Sequence, residues 1–295
     1  MSDAYHVPVL REEVLAFLPA EPDGIYVDGT LGGGGHARAL LERLGPRGLL
    51  LGVDRDREAL EACWPLEAEY PGKVRLLHGN FGELGPLLRA QGWEAVDGVL
   101  VDLGVSSRHL DEAERGFSFV RGGPLDMRMD ASQGVTAADL VNESSEEQLV
   151  KLFEEFGEEP RSRKAARAVV EARRRAPIST TADLARVLER ALGRRGPKHP
   201  GTRIFQALRI AVNQELSALD ALLVQAPVLL KPGGRLVTIA YHSLEDRRIK
   251  RAFRETEGLE ALTRKAVKPT RAEVERNPRA RSARLRAAQR IIERS

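Results

Sequence analysis

The sequence predicts an α/β fold with a mostly parallel sheet, interrupted by a helical insertion. Three observations carry that prediction. Short apolar runs of strand type alternate with helical segments up to Asp102, a rhythm that gives parallel strands with helices on both faces. A glycine cluster lies between the first strand and the first helix, and the second strand ends in an acid 20 residues after Gly34, the order of a nucleotide-binding strand–turn–helix unit. The alternation then stops after Leu103 and resumes near residue 206. The expected division is a sheet domain of residues 1–106 and 206–295 with a helical, substrate-recognition domain of residues 107–205.

Gly24-Ile25-Tyr26-Val27-Asp28 is the first strand, and Ala37 to Leu44 has helical spacing. Gly48 to Asp54 is a second, fully buried type of strand. Arg57 to Ala68 is helical until Pro65 disturbs it. Lys73 to His78 is a third strand, Phe81 to Gln91 a helix and Val96 to Asp102 a fourth strand. Residues 105–135 are rich in Gly, Ser, Asp and Arg and have no period. Helices are expected over Ser145–Phe156, Ser162–Arg175 and Thr181–Leu192, the first capped by Ser144 or Ser145. Arg203 to Leu230 is helical in one or two pieces, Lys231-Pro232-Gly233-Gly234 is a turn, Arg235 to Ala240 a fifth strand and Leu244 to Thr256 a helix. The stretch from Leu262 to Ile292 fits either two short strands around a basic loop or a helix from Ser282. No internal repeat is present.

The net charge of +3 hides an asymmetry. Residues 1–160 carry roughly −16, residues 161–210 roughly +11 and residues 250–295 roughly +8. Two basic blocks beside an acidic remainder suit a polyanion such as nucleic acid. No run is long and apolar enough to span a membrane, and no signal peptide is legible, so a cytoplasmic protein is expected. The single cysteine, Cys63, cannot form an internal disulfide and reads as a half-buried thiol. No His/Asp/Glu cluster has metal-ligand spacing, so no metal is expected. A monomer and a homodimer are both compatible with the sequence.

Asp28-Gly29-Thr30-Leu31-Gly32-Gly33-Gly34-Gly35-His36 forms the turn after the first strand. Glycines there let the backbone bend and approach a ligand that a Cβ would exclude. Asp54 can accept hydrogen bonds from both ribose hydroxyls of an adenosine. A dinucleotide fold uses such a loop to hold a pyrophosphate. An acid at the start of the loop suits instead a cationic ligand such as S-adenosylmethionine, which carries an ammonium and a sulfonium and no phosphate. Phe81 is placed to pack on the adenine, and Asp102 to reach the methyl.

Longer motifs extend this pattern over nearly the whole chain. They are His6-Val7-Pro8-Val9-Leu10, the Asp28–His36 loop, Asp54-Arg55-Asp56, Phe117-Ser118-Phe119 and Asp126-Met127-Arg128-Met129. Thr202 to Ile210, His242 to Arg247 and Asn277 to Ser282 complete the set. In these segments the chain resembles the bacterial 16S ribosomal RNA (cytosine-N4) methyltransferases, the RsmH or MraW family. The resemblance implies a class I S-adenosylmethionine methyltransferase, Rossmann-like, with an inserted helical domain. It implies that the acceptor is the exocyclic amine of a decoding-centre cytidine in 16S rRNA of the small ribosomal subunit. Carried onto this chain, the family's cofactor contacts fall at Gly34, Gly35, His36, Asp54, Phe81, Asp102 and His109. Tyr241 stands where the family often has Phe.

The cytosine N4 lone pair is delocalised into the ring and is a poor nucleophile. It needs alignment with the methyl carbon and an acceptor for its proton. Many amine methyltransferases place an Asp/Asn-Pro-Pro-aromatic segment after the fourth strand. Here Asp102-Leu103-Gly104-Val105-Ser106-Ser107 keeps the acid without the prolines or aromatic, so Asp102 is the candidate catalytic residue, with Ser106 beside it. Candidates for RNA contact are Arg194, Arg195, Lys198 and the arginines of 276–290, which sit in loops or a basic tail, and His242 near the strand ends. Phe117 and Phe119 can stack on an unstacked base or serve as core. Arg161, Arg163, Lys164 and Arg167 read as a solvated helical face. Two other readings compete. An NAD-type oxidoreductase uses the same glycine loop but lacks a hydride-transfer constellation here. A non-catalytic RNA-binding ribosome-assembly factor would have no need of the intact acid set.

Overall fold

A computed structural model of the chain describes residues 8–118, 122–194, 196 and 199–292. Arg195, Lys198, Phe119 and the His6-Val7 end of the first motif lie outside them. The chain divides into two compact units. One runs through Gly104 and resumes at Leu216; the other is Val105–Glu215.

In chain order the first unit begins with α1 (Arg11–Phe17), β1 (Ile25–Asp28), α2 (Gly35–Leu41), β2 (Leu49–Asp54), α3 (Arg57–Cys63), α4 (Pro65–Glu69), β3 (Val74–His78), α5 (Leu84–Ala90) and β4 (Val96–Asp102). The second unit holds α6 (Ser107–Asp111), α7 (Ala137–Glu143), α8 (Glu146–Glu155), α9 (Ser162–Arg173), α10 (Thr181–Leu192) and α11 (Thr202–Asn213). Then come α12 (Glu215–Leu229), β5 (Leu230–Ala240), α13 (Ser243–Glu255), β6 (Leu259–Ala261), α14 (Arg271–Arg276) and β7 (Arg284–Arg290).

Among the described residues the seven strands form one sheet in the order β3-β2-β1-β4-β5-β7-β6. The first five are parallel neighbours, and β7 runs antiparallel to both β5 and β6. The α/β alternation causes this, because parallel neighbours need a crossover helix between them. Side chains alternate across each strand. Tyr26, Leu50 and Leu100 enter one core, while Val27, Leu51, Val53, Val99 and Val101 enter the other. Strand order reverses between β1 and β4, so the carboxyl ends of β2, β1 and β4 open onto a crevice at a topological switch point, where such sheets bind ligands.

Several elements differ from expectation. The helix expected from Phe81 opens with a short 3₁₀ turn, Phe81–Glu83, because Asn80 caps it through the Gly82 amide. Lys231 to Gly234, expected as a turn before the fifth strand, is carried inside β5 as an irregularity opposite Val96–Gly98. Gly234 is needed there, since a Cβ would meet the Lys231 carbonyl at 2.9 Å and the Val96 carbonyl at 3.0 Å. After Leu262 the alternative of a helix from Ser282 gives way to β7; the second strand, β6, lies just before Leu262, and the basic stretch between the two carries α14.

The second unit packs α7 to α11 around Leu149, Phe153, Val169, Leu184 and Leu188. Capping boxes at Thr136 and Ser145 start α7 and α8. The boundary expected at 205 falls at 215, because Ile204, Phe205, Ala207 and Leu208 of α11 belong to this unit's core. Arg161 departs from the expected solvated face: its Nη1 donates to the Leu192 carbonyl at 2.6 Å. Arg167 stays exposed beside Glu171. Buried Asn213 at the end of α11 pins the Asp126–Met129 segment. Its Oδ1 accepts from the Met129 amide at 2.7 Å and its Nδ2 donates to the Met127 carbonyl at 2.8 Å.

Asn213→Ala would leave both backbone groups buried without that partner, a loss of about 2–4 kcal/mol. Urea unfolding should show destabilisation of that order, and hydrogen exchange should show lost protection at the Met129 amide. Unchanged protection would mean that Asn213 is not the pin.

A candidate cofactor site at the ends of three parallel strands

The turn after β1 is stitched over its neighbours. Gly29 donates its amide to the Leu100 carbonyl at 2.8 Å and Leu31 donates to the Val53 carbonyl at 3.0 Å. Each strand beneath ends in an aspartate: Asp28, Asp54 and Asp102. Asp54 Oδ2 accepts from the Gly32 amide at 2.8 Å, and its Oδ1 accepts from the Asp56 amide at 2.9 Å. The amide of Asp102 donates to Thr30 Oγ1 at 2.7 Å. On the Asp102 carboxylate, Oδ1 accepts from the Tyr241 hydroxyl at 2.9 Å, and Oδ2 lies 3.7 Å from His36 Nε2.

Asp28 is 1 % exposed. Its Oδ1 accepts from the Thr30 amide at 3.2 Å, but its Oδ2 and both ring nitrogens of buried His36 have no hydrogen-bond partner. Burial pushes the Asp28 carboxyl up to about 6, against the pull of His36 and the Thr30 amide, and the charges of Asp102 and Asp54 push the same way. Unsatisfied buried polar atoms cost free energy. These three, facing a glycine loop at a switch point, mark a place built for a ligand that brings hydrogen bonds and positive charge.

The glycines also serve the protein's own packing. Gly34 caps α2 with φ +73, and a Cβ there would meet Cys63 Sγ at 2.9 Å and Leu66 Cδ1 at 3.1 Å. A Cβ on Gly35 would meet Pro8 at 3.1 Å, and one on Gly29 would meet Phe81 Cβ at 3.1 Å. The loop is thin so that the molecule's own side chains can close beneath it. Cys63 is buried rather than half-buried, and burial, with Asp28 and Asp54 nearby, pushes its thiol up to about 12. Phe81 is 9 % exposed and belongs to the core on that face. A separate concavity of about 430 Å³ behind α2 is lined by Pro8, Arg11, Gly34, Gly35 and Arg38, and contains none of the strand-end acids.

The structure thus gathers Gly34, Gly35, His36, Asp54, Phe81 and Asp102 on one unit. Ser106 and His109 lie on the other, where they form the capping box of α6. Ser106 Oγ accepts from the His109 amide at 3.3 Å and His109 Nδ1 accepts from the Ser106 amide at 3.2 Å. The His109 ring stacks on Phe117 at 4.8 Å, which makes Phe117 core. His242 caps α13 through Nδ1 to the Glu245 amide, with its Nε2 at 3.2 Å from Glu245 Oε1 outside hydrogen-bond geometry. Arg194 is exposed and pairs with Glu189. Sequence reasoning missed Thr30 and Tyr241 as partners of Asp102. They lie 72 and 139 residues from it, and no local spacing signals either contact.

A family model described as the MraW methylase family matches residues 3–291. Ribosomal RNA small subunit methyltransferase H of Thermomicrobium roseum is 48 % identical, covering 97 % of this chain and 94 % of that protein. The protein of the same name from Methylococcus capsulatus is 51 % identical, covering 95 % and 99 %, and that of Syntrophotalea carbinolica is 48 % identical, covering 97 % and 98 %.

Gly34→Ala meets a left-handed backbone costing about 1–2 kcal/mol, the Cys63 sulfur and, less closely, Leu66 Cδ1. Adding Cys63→Ala removes only the sulfur contact. Thermal unfolding should therefore show Gly34→Ala destabilised, and the double variant less destabilised than the sum of its two single changes. Simple additivity would mean that Gly34 and Cys63 do not share this contact.

Proposed function

The chain belongs to the MraW methylase family, and we propose that it transfers a methyl group from S-adenosylmethionine to the N4 amine of a decoding-centre cytidine in 16S rRNA of the small ribosomal subunit. The observation that carries the donor is the cluster of three strand-end aspartates with the orphaned Asp28 oxygen and His36. Carboxylates so grouped repel a pyrophosphate and attract a cation, which disfavours the dinucleotide alternative. The relatives' names support ribosomal RNA of the small subunit as the substrate; the cytidine and its N4 atom rest on the motif resemblance. The two basic blocks fit an RNA partner. No helix among the described residues is long and apolar enough to cross a membrane.

S-adenosylmethionine supplies a methyl group made electrophilic by its sulfonium. Asp28 and His36 would hold the amino-acid end, Asp54 the ribose hydroxyls and Phe81 the adenine. Gly34 and Gly35 shape the loop around them. The family resemblance adds His109 as a donor contact and Ser106 as a second candidate beside Asp102. Asp102 would accept a hydrogen bond from the cytosine amine, keep the N4 lone pair directed at the methyl carbon, and take the proton released as the N–C bond forms and the S–CH3 bond breaks to leave S-adenosylhomocysteine. The helical unit, residues 105–215, serves substrate recognition, with Arg194, Arg195, Lys198 and the exposed Arg276 and Arg281 meeting phosphates and His242 meeting the substrate. Of the other arginines of 276–290, Arg284 and Arg286 lie in β7 paired with Asp246, and Arg290 donates to the Leu230 carbonyl, so these three are not the free loop cations expected.

Methyl-labelled S-adenosylmethionine, incubated with unmethylated small ribosomal subunits and this protein, should leave label in N4-methylcytidine after nucleoside digestion. Label in another nucleoside would overturn the assigned atom. Donor bound without transfer would overturn the acceptor.

Donor affinity should also depend on pH. A cation pairs with ionised Asp28, and protonation competes below about 6. Calorimetry should find binding about tenfold weaker at pH 5 than at pH 7, and Asp28→Asn should be weak and flat. In the unliganded protein the fold favours protonated Asp28. Its stabilising contribution is full below the ordinary value of 3.8 and is lost as pH rises through about 6.

A further inference from the structure

Asp102 is fixed in its backbone from two sides. Its own amide is held by Thr30 Oγ1 at 2.7 Å, and the next amide, of Leu103, donates to the Ile239 carbonyl at 2.9 Å. Neither contact restrains the two side-chain torsions that aim the carboxylate. One neighbour competes for it: His36 Nε2, 3.7 Å from Oδ2 and without a hydrogen-bond partner of its own. A small rotation would turn the carboxylate into that imidazole.

Tyr241 opposes the rotation. It follows β5 directly, so its backbone sits at the end of the strand beside β4. Its amide donates to Glu245 Oε2 at 2.9 Å, and Glu245 is 2 % exposed at the start of α13. Its ring packs over the backbone of Gly104, whose φ is +104 and where a Cβ would stand 3.3 Å from the ring. With both ends held, the hydroxyl points at Asp102 Oδ1 at 2.9 Å. Burial, then the Asp102 charge, raise this phenol well above its ordinary value. The group is therefore a permanent donor at neutral pH.

We infer that Tyr241 is a positioning residue for methyl transfer, whose hydroxyl occupies Asp102 Oδ1 and holds the carboxylate off His36 so that Oδ2 stays available to the acceptor amine. This rests on the methyltransferase reading above. The hydroxyl is engaged by Asp102 Oδ1, so its effect on transfer runs through that carboxylate. The ring without the hydroxyl would still fill the space over Gly104.

Tyr241→Phe, Asp102→Asn and the double variant test this in a cycle. The readouts are donor affinity by calorimetry, single-turnover methyl transfer to small ribosomal subunits, and circular dichroism for the fold. Tyr241→Phe should slow transfer about tenfold, as expected for losing one hydrogen bond to a charged group, with donor affinity changed by less than about threefold. In the double variant the Tyr241→Phe change should add nothing to Asp102→Asn. Tyr241→Ala, which also removes the ring, should lose donor affinity as well, separating packing from aim. Wild-type transfer rates in Tyr241→Phe, or fully additive effects in the double variant, would overturn the inference alone. An unmutated protein that binds donor and transfers nothing would overturn the functional reading and this inference with it. If Tyr241→Phe itself lost the native circular dichroism, the hydroxyl would be structural, and the positioning role would fall.

Discussion

Ending three neighbouring parallel strands in carboxylates sets the main constraint on this molecule. Parallel strands bring their carboxyl ends to the same edge of a sheet, so Asp28, Asp54 and Asp102 cannot avoid one another. Like charges held at short range in a partly dry crevice repel strongly. Much of the surrounding structure answers that repulsion with donors. Gly32 and Asp56 give amides to Asp54, Thr30 gives an amide to Asp28, and Tyr241 gives a hydroxyl to Asp102. Asp28 receives a single amide at 3.2 Å, and burial first, with the neighbouring charges adding to it, keeps its carboxyl raised. A cationic ligand would bring the positive charge that these carboxylates attract.

The glycine loop shows how a familiar signal can carry more than one cause. Its small residues leave room, but on the inner side that room is filled by Cys63, Leu66, Phe81 and Pro8. The loop is therefore clamped between the ligand crevice and the protein's own core. The single cysteine, whose thiol burial holds in the neutral form, acts as floor beneath the cap of α2.

Much of the sheet was legible because its signals are local. Buried strands announce themselves as short apolar runs, and an acid at the end of each is visible at once. The glycine turn and Asp54 could be placed by spacing alone. What escaped depends on distance along the chain. Nothing near Asp102 indicates Thr30 or Tyr241, because the sheet order that joins them is a property of the whole fold. Ser106 and His109 drew attention as chemistry, yet each has a local task in the cap of α6, a reminder that short polar residues before a helix usually serve its first amides. The end of the insertion was misplaced by ten residues because α11 is apolar on the face that completes the second core, and periodicity does not say which core a helix will join.

The sheet order also sets a sequence of events in time. Asp28 and Asp54 are paired in neighbouring strands early in synthesis, but the phenol that holds Asp102 is made 139 residues after it. The edge of β5 that precedes this phenol is covered only by β7, Arg284–Arg290. At roughly 5–20 residues per second, a nascent chain carries a crowded set of carboxylates for many seconds before their last anchor arrives. The half-made protein has its charges in place before this partner exists, so the Asp102 carboxylate gains its hydroxyl donor only once β5 has joined the sheet.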